Sequence, residues 1–115
     1  MNMLASPTTT EKPILDISLM RKNADNACRM MKTLANRDRL MLLCQLSQGE
    51  KRVGELEEVT NIQQPTLSQQ LAVLREEGVV STRRDGKHIY YSICSPIAMS
   101  VMELLYATYL SLIHI

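Results

Sequence analysis

Near Gly78 the hydrophobic period of this chain changes, and few small folds are compatible with that change. Before it, apolar residues recur at three- and four-residue steps, which places them on one face of a helix. After it they alternate. Val79 to Arg84 and Lys87 to Ile93 read as two strands, and Asp85-Gly86 between them is a strong signal for a two-residue hairpin turn. Pairing across that turn sets Val80 opposite Tyr91 and Thr82 opposite Ile89 on an inner face. It sets Arg83 opposite His88 on the outer face, and Arg84 opposite Lys87 beside the turn. Helical spacing returns after Ser95-Pro96, with Ile97, Val101, Leu104 and Leu105.

Four helices are expected before the hairpin. The first starts at Asp16, a good N-cap, and runs to about Leu34 on the stripe Ile17, Met20, Ala24, Ala27, Met31 and Leu34. The second covers Asp38 to Leu46 and stops at Gly49. It is apolar nearly all round, which predicts a central buried helix. A short third helix spans Val53 to Val59 and breaks at Thr60-Asn61. A fourth begins around Gln64-Pro65, carries Leu67, Leu71 and Leu74 on one face, and ends at Gly78. Residues 1–14, rich in Thr and Pro, read as a disordered N-terminal tail, and residues 15–109 as one domain.

The core must be aliphatic, because the chain has four Tyr and no Phe or Trp. Eight Met suggest adaptable helix–helix seams. A chain of 115 residues buries a limited share of its surface, so sharing a core with a second copy would help. The three cysteines, Cys28, Cys44 and Cys94, are odd in number and irregularly spaced, which argues against a secreted disulfide framework. With no signal peptide and no apolar run long enough for a membrane, the chain reads as a cytoplasmic protein. Net charge is only +1, but its distribution is uneven. Between Met20 and Arg52 there are eight basic residues (Arg21, Lys22, Arg29, Lys32, Arg37, Arg39, Lys51, Arg52) against Asp25, Asp38 and Glu50. One region could therefore face phosphate.

Two short helices joined by a tight turn and followed by a basic-tipped hairpin form the plan of a winged helix-turn-helix: mainly α, with a small β-hairpin as the wing and a fifth helix after it. In that plan the second helix of the pair enters the major groove of double-stranded DNA. With Leu67, Leu71 and Leu74 as anchors, Gln63, Gln64, Thr66, Ser68, Gln69 and Gln70 are left near the exposed N-terminal half. Glutamine can make two hydrogen bonds to adenine, and Ser or Thr can bond a base or a phosphate. A plain solvent face would also be polar, but Glu and Lys usually populate it, and no charge occurs from Ile62 to Ala72. Arg83, Arg84 and Lys87 cluster at the hairpin tip, where charge can protect a sheet edge or hold a DNA backbone. Arg37 belongs to the basic region and joins the candidate DNA contacts. Nothing points to an enzyme: there is no Cys-x-x-Cys, no phosphate-cradling glycine loop and no nucleophile–base pair at recognisable spacing.

From about Ala24 to Tyr109 the chain resembles the ArsR/SmtB family of bacterial repressors. KTLANRDRLMLLCQL is similar to that family's first two core helices, VGELEEVTNIQQPTLSQQLAVLREEGVV to its helix-turn-helix, and TRRDGKHIYYSI to its wing. The resemblance implies a homodimer through the first and last helices, operator DNA as the partner, and an inducer that releases the protein from it. Metal sensors of the family carry a Cys pair on the first helix of the DNA-binding pair, or Asp and His on the last helix. Here Arg52-Val53-Gly54-Glu55-Leu56 holds no Cys, and Pro96 to Tyr109 holds no Asp, His or Cys. No metal and no other cofactor is therefore expected, with His88 and His114 read as bystanders.

RLMLLCQLSQGEKRVGELE and QPTLSQQLAVLRE resemble more closely the BigR-like branch, repressors that respond to reactive sulfur or oxidants. That resemblance implies a redox sensor at Cys44, paired with a Cys on the last helix near position 110, where this chain has Leu110. Residues 110–115, LSLIHI, read like a translated transposon-end adapter joined to a truncated gene, and so as a non-native tail. A buried Cys is usually a small core hydrophobe, and Cys28 and Cys94 are read that way. A sensor thiol should show a depressed pKa and some access. Three readings remain open on the sequence: a thiol-switched repressor, a repressor without a working sensor in this truncated form, and a winged-helix module used for protein contact.

Overall fold

The computed structural model describes residues 16–110. The expected N-terminal tail, and all of the expected C-terminal tail except Leu110, lie outside them. The elements are α1 (Ile17–Leu34), α2 (Arg37–Leu46), β1 (Lys51–Arg52), α3 (Val53–Thr60), α4 (Thr66–Glu76), β2 (Val80–Asp85), β3 (His88–Ile93) and α5 (Pro96–Leu105), with a π-helical extension over Tyr106–Leu110.

Local chemistry sets most boundaries. Asp16 accepts from the Leu19 N–H at 3.2 Å, Asn36 from Arg39 N–H at 3.0 Å, and Ser95 Oγ from Ala98 N–H at 3.1 Å. Each satisfies one of the free donors that open a helix. Glu55 reaches back from the first turn of α3 to the Arg52 N–H at 2.8 Å. Asn61 ends α3 in the left-handed region at φ 61°, a conformation asparagine tolerates better than most residues.

Leu67, Leu71 and Leu74 of α4 are essentially fully buried, packed with Leu42, Leu43 and Leu46 of α2, Leu56 of α3, Val79, and Ala98 and Met102 of α5. The winged helix-turn-helix is thus in place, with two corrections to α2 and the hairpin. Helix α2 is buried on one side only. Met41 is exposed, and Leu40 and Cys44 are half-buried, because α3, α4 and β3 cover the opposite flank.

The hairpin register differs by two residues from the expected one. Asp85 pairs with His88, so the loop is Gly86-Lys87, with Gly86 at φ +64° in the first loop position. Glycine there satisfies the two-residue turn without Asp85 entering the loop. Val80 faces Ile93, Thr82 faces Tyr91, Arg83 faces Tyr90 rather than His88, and Arg84 faces Ile89 rather than Lys87. A slip of two preserves the inner face, since side chains alternate with period two. Strand β1, not foreseen, adds Lys51 opposite Tyr91 and Arg52 opposite Tyr90, giving a three-stranded sheet of order β1-β3-β2.

Candidate nucleic-acid interface

The buried leucines of α4 fix which side of that helix faces outward. Gln63, Gln64, Ser68 and Gln69 are exposed, and Thr66 is half-buried. Gln64 Oε1 accepts from the Ser68 N–H at 3.0 Å, so this amide oxygen also caps the opening turn of α4. Arg37, at the start of α2, lines one depression with Gln63, Gln64 and Thr66. The start of α2 and the start of α4 thus open onto the same surface, where the positive ends of two helix dipoles and Arg37 favour an anion.

Gln70 does not share that surface. It is half-buried, and its Oε1 accepts from Arg39 Nη1 at 2.8 Å. Arg83 is similarly engaged. Its guanidinium forks onto Glu50, with Nε at 3.0 Å from Oε1, and its Cζ lies 4.5 Å from the centre of the Tyr90 ring. Hydrogen bonding and charge from Arg83 hold the Glu50 carboxyl below its ordinary range. Both residues are exposed, so the pair orients the wing more than it stabilises it. Arg84 and Lys87 are exposed and form no ion pair among the described residues, which leaves them as the available cations of the wing.

Between α4 and the inner face of the wing runs a groove lined by Ser68, Ala72, Arg75, Glu76 and Tyr91. Arg75 is exposed and lies seven residues, two helical turns, after Ser68. Sequence reasoning missed it because it followed the uncharged stretch, which Arg75 itself ends. The i, i+4, i+7 spacing of Ser68, Ala72 and Arg75 was the available signal.

Cys44 lies elsewhere. It is half-buried in a cleft of 240 Å³ lined also by Arg37, Leu40, Met41, Gln45, Val59, Thr60 and Leu110. Burial pushes its thiol pKa up, the opposite of what a primed nucleophile shows. Cys28 and Cys94 are exposed, so neither is the small core hydrophobe expected of it. No group of three or more potential metal ligands occurs among the described residues.

Residues 36–82, from the start of α2 into the wing, match the family model described as "Bacterial regulatory protein, arsR family". The chain is 46% identical over 110 residues to the biofilm growth-associated repressor of Agrobacterium fabrum, covering 92% of this chain and 94% of that one. The chain belongs to the ArsR family. The crystal structure of the transcriptional repressor BigR from Xylella fastidiosa superposes with a TM-score of 0.75 at 45% identity, over 83% of this chain and 94% of that one. Mb0332 from Mycobacterium bovis, described as a homodimeric winged helix-turn-helix DNA-binding domain and a possible ArsR-family transcriptional regulator, superposes with a TM-score of 0.68 at 32% identity, over 76% and 82% of the two chains. These ArsR relatives are regulators rather than enzymes, in line with the motif analysis, and the BigR-like affinity read from the sequence is shown by both identity and fold.

Proposed function

We propose that this ArsR protein is a dimeric, operator-binding transcriptional repressor of the bacterial cytoplasm. The observation that carries this reading is the outward, uncharged amide and hydroxyl surface of α4, held by three buried leucines beside a wing with two free cations. In this reading the exposed Gln63, Ser68 and Gln69 meet base edges, with Arg75 beside Ser68 in the groove. The exposed Arg37, Arg84 and Lys87 meet phosphates. Repression is the activity named for the Agrobacterium and Xylella relatives, and homodimerisation is named for Mb0332.

The dimer uses α1 and α5. Ile17 is 56% exposed, Met31 60%, Ile97 64% and Leu104 67%, a density of bare aliphatic surface that a monomer does not keep without use. A strongly apolar groove lined by Ala27, Met30, Met31, Leu34, Ile97 and Val101 joins the two helices.

Gel shifts with the upstream region of its own gene, at stated salt, test the reading. Replacing Ser68 or Gln69 lowers discrimination between operator and unrelated duplex. Replacing Arg84 or Lys87 weakens binding to every duplex and reduces the salt slope by about one per lost phosphate contact. Equal binding to operator and unrelated duplex by the unmodified protein contradicts it, and no binding at all selects the protein-contact module instead.

Release is proposed to run through Cys44. The thiolate attacks the terminal sulfur of a hydropolysulfide, forming a Cys44 persulfide and expelling a polysulfide one sulfur shorter. The adduct enters the cleft that Leu110 lines, so it presses on the extension of α5. No second thiol lines that cleft among the described residues, so the chemistry ends at one sulfur. The raised pKa predicts that iodoacetamide alkylates Cys44 more slowly than exposed Cys28 and Cys94 at neutral pH. The gap narrows as pH rises and thiolate forms, and site-resolved mass spectrometry reads both rates. Polysulfide that weakens operator binding of the unmodified chain but not of Cys44→Ser supports the switch. A Cys44→Ser variant that responds normally ends it. Unchanged affinity after treatment selects a repressor without a working sensor, a reading favoured by Leu110 standing where a partner thiol is expected.

A further inference from the structure

Arg39 lies in the first turn of α2, yet its guanidinium reaches two other helices. Nε donates to the Thr33 carbonyl at 2.6 Å and Nη2 to the Lys32 carbonyl at 3.3 Å, both in the last turn of α1. Nη1 donates to Gln70 Oε1 on α4 at 2.8 Å. The last carbonyls of a helix lack intrahelical partners and carry the negative end of its dipole, so a cation there is doubly favoured. The guanidinium is planar and rigid. Two donors fixed on α1 therefore set the direction in which the third meets α4. A second, solvent-exposed tie joins the same helices at the other end of α4, where Arg29 Nε and Nη2 donate to Glu77 at 2.6 and 3.2 Å. Apolar packing gives α1 little hold of its own, since Thr33 and Leu34 are its only buried residues.

We infer that Arg39 is a positioning residue that straps α4 to the end of α1, and that Gln70 is its anchor on α4 rather than a reader of bases. The inference rests on the proposed function in one respect: α4 faces DNA and α1 faces a second copy. The strap then carries the geometry of the dimer seam to the helix in the groove, and sets the distance between the two copies of α4. Paired half-sites lie about 34–36 Å apart, so a loose α4 loses cooperative engagement of both.

The test has two arms. In the first, exposed Lys22 and Ala72 are replaced by Cys and spin-labelled, with Cys28, Cys44 and Cys94 replaced by Ser and the labelled chain diluted in unlabelled chain. Distances within one chain are read without DNA. A single narrow distribution is expected. Arg39→Ala and Gln70→Ala each broaden it, and the double variant broadens it no further, as for two residues of one link. Gln70→Glu keeps an acceptor for the guanidinium and keeps the distribution narrow. An unchanged distribution in Arg39→Ala overturns the strap. In the second arm, Gln70→Ala weakens binding to a duplex with two half-sites by up to about tenfold, a ceiling reached if the whole worth of one charge-assisted hydrogen bond goes into ordering α4, with base preference unchanged at every position. A changed base preference makes Gln70 a reader and overturns its role as anchor. If the unmodified protein binds no duplex, the DNA reading falls and the distance arm still decides on the strap.

Discussion

Helices α4 and α1 are both amphipathic, but only α4 is completed by its own subunit. Its three leucines are essentially sealed by α2, α3 and α5, while Ile17, Met20 and Met31 of α1 stand roughly half or more exposed. Hydrophobic stabilisation follows area removed from water, so the α4 stripe contributes to the fold of one chain and the α1 stripe contributes when a second surface covers it. The difference separates two tasks. Presentation of the outward face of α4 is settled within the subunit, and in the proposed dimer the spacing between two such faces depends on how α1 and α5 are covered.

Substitutions can break this contrast, starting with the largest effect. Leu71→Ala leaves a cavity in a closed core and should cost roughly 2–5 kcal/mol of subunit stability. Urea unfolding at a concentration that keeps oligomeric state constant reads it, and a cost below about 0.5 kcal/mol, typical of surface sites, would mean that α4 is not anchored as described. Met31→Glu combined with Ile97→Glu should leave helical content unchanged by circular dichroism while shifting sedimentation from dimer to monomer, because two carboxylates cannot be buried unpaired in an apolar seam. An unchanged sedimentation profile would place the seam elsewhere. Ser68→Ala, on the outer side of the same helix as Leu71, should change stability by less than about 0.5 kcal/mol. Its discrimination among duplexes should fall by about 0.5–1.5 kcal/mol for one lost hydrogen bond to a base edge. A large loss of stability in Ser68→Ala would erase the distinction between the two sides of α4.

What the sequence disclosed follows from the range of the physics involved. The α4 anchors were readable because Leu67, Leu71 and Leu74 share one helix and one period. The cap at Asp16 was readable because a cap is satisfied three residues away. The hairpin was readable but its register was not, since Gly86 can take either loop position and the alternation is the same after a slip of two. Strand β1 has two residues, too few to alternate, and exists through its pairing with β3. The engagements of Gln70 and Arg83 were not legible because their partners, Arg39 and Glu50, lie 31 and 33 residues away in the chain. Local composition made both look like free polar residues. The part of the expected DNA surface not tied to another side chain is therefore Arg37, Gln63, Gln64, Thr66, Ser68, Gln69, Arg84 and Lys87, with Arg75 added.

Amide chemical-shift mapping during titration with a duplex from the upstream region reads out which surface meets DNA. Shifts concentrated at Arg37, at Gln63, Gln64, Thr66, Ser68 and Gln69 and at Arg84 to Lys87, with the α1–α5 groove unmoved, are the predicted pattern. Shifts centred on the α1–α5 groove, with the outer side of α4 silent, would contradict it.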